Sequence, residues 1–253
     1  MGRGPIGFIR SLQGHDRAFG HHSLVTVLTR CGLPLPTYFL ADEKHTRCLA
    51  DKVYLPTIVQ GRVLWHLGYT TEASAAAFTQ SYQEFQRAAL QQEPTYRVRG
   101  ILTDGFDSTV KSLRTLFPGA HLGNCLRHAI NKLPAKLVAI ASPVRKALRS
   151  QFHTLLYRAR QRKSLRVFAL GQRLRHFVDH VTTMAGTANG ERVRRWFREK
   201  KAGWYAVLED PQMPATSTLL DQAHNAMERK LFAMKGFHHF TILKEANRRF
   251  SPG

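Results

Sequence analysis

Acidic side chains are scarce in this chain. Its 253 residues hold 17 Asp+Glu against 38 Lys+Arg, a formal net charge of +21 and a sequence pI near 10.7. So large a surplus of cations selects a polyanionic partner, because every phosphate that is neutralised releases condensed counterions. Cysteine is almost missing too. Cys31, Cys48 and Cys125 cannot close a disulfide framework and show no CxxC spacing, which points to a reducing compartment. No apolar run approaches the roughly 20 residues of a membrane span. Met1 to Gly20 lack the apolar stretch of a signal peptide. The expectation is a cytoplasmic protein, nucleoid-associated in a bacterial host, with no membrane partner. Internal repeats and low-complexity linkers are also absent. With 43% hydrophobic residues, the chain can bury a sizeable core and is no basic tail.

The charge is uneven. Residues 121–210 carry 19 Lys+Arg against 5 Asp+Glu, which is +14 of the total, whereas the first 120 residues hold most of the acids. A catalytic half with carboxylates and a binding half with basic helices would produce this asymmetry. Candidate phosphate contacts are Arg145, Lys146, Arg149, Arg158 and Arg160, then Arg192, Arg194, Arg195 and Arg198. A basic run is ordinarily a solvated face, but few acids stand nearby to pair with these residues.

Periodicity orders the elements. Tyr38–Ala41 and Val53–Val59 read as strands. A turn at Gln60-Gly61-Arg62 leads to a third, Val63–Tyr69. The alanine- and glutamine-rich stretch from Thr71 to Gln92 predicts a helix with an apolar stripe of Phe78, Tyr82, Phe85 and Leu90, stopped by Pro94. Arg97–Thr103 is a fourth strand, Ser108–Leu116 a helix, Ala120–Cys125 a fifth strand, and Leu126 opens another helix. This β-β-β-α-β-α-β-α order predicts an α/β fold with a mixed five-stranded sheet flanked by helices. Residues 135–208 read as wholly helical, and a last helix runs from about Leu219 to Met234.

Three carboxylates fall at telling places. Asp42 ends the run Tyr38-Phe39-Leu40-Ala41, and Asp104 ends Gly100-Ile101-Leu102-Thr103. Asp221 follows the hydroxyl-rich Thr216-Ser217-Thr218 start of the last helix. A lone Asp after a strand is ordinarily a turn former. In this element order, however, strands one and four can lie side by side and bring Asp42 and Asp104 together. Such carboxylates repel unless a cation intervenes, and three of them can hold two cations about 3.5–4 Å apart for phosphoryl transfer. Glu228, seven residues beyond Asp221 and on about the same helix face, is the alternative third acid. Cys125 and His128 lie one turn apart without a second ligand pair, so a structural role is expected: Cys125 buried, His128 hydrogen-bonding near the strand-to-helix corner.

In order and spacing, these residues resemble the DDE/D transposases of insertion sequences and Mutator-like elements. The match rests on Asp42, on Leu102-Thr103-Asp104-Gly105, on Cys125-x-x-His128, and on the Thr-Ser-x-x-x-acid segment ending in Asp221 before His224-Asn225. Trp196, Trp204 and Tyr205 stand where the family carries a Trp-rich stretch. The resemblance spans roughly residues 37–245 and implies a ribonuclease H-like catalytic domain. It also implies Asp42, Asp104 and Asp221 as catalytic metal ligands, Mg²⁺ as cofactor with Mn²⁺ as its substitute, and double-stranded DNA as partner. The implied activity is cleavage and strand transfer at element ends, by a homo-oligomer assembled on DNA. Residues 37–134 would be the first part of the catalytic domain, 135–210 a helical basic insertion, and 211–253 the final catalytic helix and tail. Residues 1–36 would be an N-terminal extension or the remnant of a DNA-binding region, as in a shortened reading frame. One departure is that the third acid is Asp where the family commonly has Glu. The rival expectations are a non-catalytic DNA-binding protein derived from a transposable element, and a cellular nuclease of the same fold.

Overall fold

A computed structural model describes residues 23–48, 51–161 and 167–233. In chain order these form α1 (Leu24–Arg30), β1 (Tyr38–Cys48), β2 (Asp51–Gln60), β3 (Val63–Leu67), α2 (Ala75–Gln92), β4 (Gly100–Thr103) and α3 (Asp107–Leu116). There follow β5 (His121–Asn124), α4 (Leu126–Lys136), α5 (Ser142–Gln161), α6 (Val167–Ala185), α7 (Thr187–Glu209) and α8 (Thr218–Ala233). The strands make one mixed five-stranded sheet in the order β3-β2-β1-β4-β5. β1 runs antiparallel to β2 and parallel to β4, so strands one and four are neighbours as the element order predicts. Among the described residues, no helix is long and apolar enough to cross a membrane.

The main departure from the sequence reading is the length of the first hairpin. Tyr38–Ala41 carries the apolar signal, yet β1 continues to Cys48 and pairs with β2 from Leu40↔Val59 to Cys48↔Asp51. Residues 42–48 are polar, so hydrophobic alternation is silent there, and backbone pairing with the apolar Val53–Val59 holds them in the strand. Asp42 therefore does not end β1. It lies where β1 outruns the shorter β4, whose ladder with it covers only Tyr38↔Gly100 to Leu40↔Leu102. β4 is also shorter than expected, starting at Gly100 in place of Arg97.

The chain divides into two compact units: residues through Ala120 together with Thr218 onward, and His121–Ser217. In the first unit, α2 starts after the N-cap Ser74, whose hydroxyl accepts from the Ala77 amide at 3.1 Å. Its Phe78, Tyr82 and Phe85 are buried; Phe85 meets Phe39 and Phe117 edge-to-face, and Phe78 meets Tyr54 in the same way. α8 packs on β1 and β2. The second unit is built around Phe152 of α5, Phe177 of α6, and Trp196, Phe197 and Trp204 of α7, all buried and in mutual ring contact. Burial of each ring contributes on the order of 2–3 kcal/mol, and this aromatic cluster is the core of the helical region.

Candidate active site

Successive side chains of β1 point to opposite faces of the sheet. Phe39, Ala41 and Glu43 share the face covered by α2 and α3, while Leu40, Asp42 and Lys44 share the other. Continuing the parallel register by two residues from Leu40↔Leu102 brings Asp42 level with Asp104. Asp104 lies in the tight turn between β4 and α3. Its Oδ1 accepts the Phe106 amide at 2.7 Å, Thr103 Oγ1 accepts the Gly105 amide at 3.0 Å, and Gly105 has φ of +86°. A side chain at that left-handed position would be strained, which is why glycine follows Asp104. Both Asp carboxylates are half-buried, and together with Glu43 they push the phenol of buried Tyr82 further above the range set by its burial. The Tyr82 hydroxyl donates to the Asp42 carbonyl at 3.1 Å and fixes that stretch of β1.

Asp42 pairs across the ladder with Thr57, so their side chains stand on the same face. Thr57 donates its hydroxyl proton to the Leu55 carbonyl at 2.8 Å, and its oxygen meets His224 Nε2 at 3.1 Å. With that one proton committed, Thr57 must accept from His224, which is then the Nε2–H tautomer. Burial, and then the charge of Lys44, lower the His224 pKa to about 4, so the ring is neutral at pH 7. This bond ties α8 to the Asp42 face. Asp221 lies one turn before His224, in the first turn of α8 and on the same side of the helix. Glu228 falls on α8, but its side chain lies outside the described residues.

The structure thus brings Asp42 and Asp104 to adjacent strands and anchors the Asp221 helix over the Asp42 face. It does not gather the three into one cluster. Among the described residues, no group of three His, Cys, Asp or Glu side chains is placed to hold a metal ion. Two carboxylates fit Mg²⁺ in the way it is commonly held, through one or two carboxylates with water and substrate phosphate completing the shell. A three-carboxylate cage is not formed.

Sequence reasoning missed Glu43. Only 7% exposed, it accepts the Thr109 hydroxyl on Oε2, and its Oε1 lies 3.5 Å from His45 Nε2. Burial pushes its pKa up to about 7; the Thr109 bond lowers it in part and the Asp104 charge raises it further. The signal was available, because Glu43 continues the period-two series of the buried Phe39 and Ala41.

Cys125 and His128 behave as expected. Cys125 is buried and caps α4. Its sulfur accepts the His128 amide at 3.5 Å and the Ser217 amide at 3.3 Å, and the Ser217 hydroxyl lies 3.1 Å from His128 Nδ1. Burial acts to raise the thiol pKa, but the donors from His128 and Ser217 outweigh it and leave the thiol below its usual range. Ser217 and His128 have the outline of a nucleophile–base pair, yet Ser217 is 2% exposed and closed to substrate.

The basic candidates separate into two sets. Arg160 donates to four backbone carbonyls, those of Val207, Asp210, Pro211 and Met213, at 2.5–3.1 Å. Arg192 bonds the Lys136 carbonyl and Asn189, Arg194 pairs with Glu191 and Asp179, Arg145 reaches the Ile140 carbonyl, and Arg149 bonds Asn131. Lys146, Arg158, Arg195 and Arg198 are exposed. No protein-family model matches this chain, and no curated protein matches it in sequence.

Proposed function

We propose that this chain is the catalytic part of a DDE/D-type DNA transposase with a ribonuclease H-like fold. The observation that carries this reading is the register of β1 against β4. It sets Asp42 beside Asp104 at the edge where β4 ends, with the Asp221 helix tied to the same face through His224 and Thr57. The basic composition supplies the second support, since a surface of this charge retains a phosphodiester backbone.

In the proposed reaction, water attacks the phosphorus at the element end. The bond from phosphorus to the 3′-oxygen breaks and frees a 3′-hydroxyl. That hydroxyl next attacks a phosphorus of the target strand and displaces the target's own 3′-oxygen. Asp42 and Asp104 would hold Mg²⁺, which supplies Lewis-acid charge at the phosphate oxygens. The chain itself orients the pair: the Phe106 amide fixes Asp104, the Glu43 amide fixes Asp42 at 2.9 Å, and Tyr82 holds the strand between.

The test uses the purified chain, Mg²⁺ and a plasmid carrying the DNA that flanks its gene. Asp42→Asn and Asp104→Asn should each reduce cleavage at least about a hundredfold, matching the several kcal/mol of charge stabilisation at stake. Circular dichroism and duplex affinity should stay as in wild type. Cleavage that survives both substitutions overturns the proposal. Asp221→Asn against Glu228→Gln decides which acid of α8 completes the site. Because no three ligands gather among the described residues, the second reading is a DNA-binding protein without catalysis, which would bind this DNA and never nick it.

A further inference from the structure

The second unit carries a groove that the proposed catalytic reaction does not use. It lies between α4 and α5, holds about 340 Å³, and is lined by Ile130, Lys146, Arg149, Ser150 and His153. That volume falls within the range of small-ligand sites. Along α5, Lys146, Arg149, Ser150 and His153 recur at helical spacing, and Tyr157 extends the same stripe by one more turn. All but Ile130 are exposed. The Asn131 side-chain oxygen on α4 accepts from Arg149 Nη2 at 2.8 Å and holds the guanidinium at the groove's edge. His153 stacks on Tyr157 with centroids 5.8 Å apart and planes 9° from parallel. Tyr157 is nevertheless 56% exposed, so one ring face is backed by imidazole and the other is open to solvent. No Asp or Glu occurs in the sequence between Asp107 and Asp179, so neither α4 nor α5 contributes a negative charge to this groove.

We propose that the α4–α5 groove binds single-stranded DNA, with Lys146 and Arg149 on phosphates and an unpaired base stacked on the open face of Tyr157. The combination of cations and an exposed aromatic selects a single strand, and the choice of DNA over RNA rests on the proposed function. Cations alone hold any phosphate backbone, but in a duplex the base faces are already stacked on one another and cannot reach a side-chain ring. An aromatic ring beside a basic track becomes useful when the strand offers a free base. The side chain of Arg149 is already oriented by Asn131, which reduces the ordering cost of gripping a phosphate.

Fluorescence anisotropy of the full chain, over one matched series of salt concentrations, should compare an oligodeoxythymidine, an oligouridine and a duplex of equal length. Tyr157→Ala should weaken single-stranded DNA binding by about tenfold, the loss of one stacked base, and leave duplex binding within about twofold. Tyr157→Phe keeps the ring and should bind as wild type. Lys146→Glu with Arg149→Glu should weaken the single strand and flatten its salt dependence. These side chains are exposed, so circular dichroism should match wild type throughout. An equal effect of Tyr157→Ala on single strand and duplex, no effect on either, or tighter binding of the oligouridine would overturn the proposal. The readout is binding, so failure of the cleavage test would leave this result standing, and the reverse holds too.

Discussion

His66 and His224 are imidazoles held neutral by their surroundings. His66 is buried against the Ser81 hydroxyl at 3.0 Å, and burial lowers its pKa to about 4, as burial and Lys44 do for His224. In the unfolded chain each would titrate near 6.5. Their contribution to stability is therefore complete above pH 6.5 and is lost as pH falls toward 4, because the unfolded state takes up the protons first. Glu43 and Glu84, both raised to about 7 chiefly by burial, have the opposite slope: their contribution is complete below 4.5 and fades as pH rises through 7. The two sets oppose each other between 4.5 and 6.5. Replacing His66 with Gln removes one acid-sensitive group. Relative to wild type, the variant should hold on to about 2 kcal/mol more stability on going from pH 7 to pH 5. Urea unfolding at both values measures this, and parallel pH profiles for the two proteins would show that His66 does not titrate as described.

At the scale of elements, Arg160 shows how a basic run can serve packing. It leaves α5 and closes the C-terminal end of α7 and the loop beyond, with four carbonyls on one guanidinium. The Val207 carbonyl lies in the last turn of α7, where carbonyls lack helical amides to accept from, and the other three follow in the loop. Arg160→Ala should cost on the order of 3 kcal/mol, since bonds to a charged donor are worth about 1.5–3 kcal/mol each and partners are left unpaired. Arg158→Ala, on an exposed side chain two residues away, should stay within about 0.5 kcal/mol of wild type. Thermal unfolding compares them, and equal losses would remove the capping role. Close approach matters in the same unit. A Cβ at Gly203 of α7 would overlap the side chain of Asn124, whose Nδ2 donates to the Lys200 carbonyl at 3.2 Å. Glycine is the residue that lets α7 and β5 meet there.

For the whole molecule, the basic charge concentrates in the second unit and most of the carboxylates lie in the first. Structural bonds occupy Arg160, Arg192 and Arg194, so under the proposed function the phosphate contacts to duplex DNA are expected of exposed residues such as Arg195 and Arg198 on α7. Duplex affinity should decline linearly with the logarithm of salt concentration. Reversing the charge of Arg195 and Arg198 together should reduce that slope by about 2, roughly 0.9 per phosphate contact, while Arg160→Ala should leave the slope of the folded fraction unchanged. An unaltered slope in the double variant would make α7 a solvated face.

The sequence determined the element order, the largely helical nature of the described residues within 135–208, the pairing of strands one and four, and the burial of Cys125, because periodicity and turn residues are local and repeat over many positions. Net charge, which depends on no fold at all, carries the expectation of a polyanionic partner. Tertiary structure alone decided how far β1 runs, since its polar half is held by β2 rather than by its own pattern. It decided that Arg160 binds carbonyls and Arg149 an asparagine, because charge does not reveal which groups the fold brings within reach. It decided that the Glu43 carboxyl meets Thr109 and that His224, one turn from Asp221, fastens α8 to the sheet. Each of these contacts joins residues distant in sequence, and only the sheet register and the packing of helices on its faces fix which side chains meet.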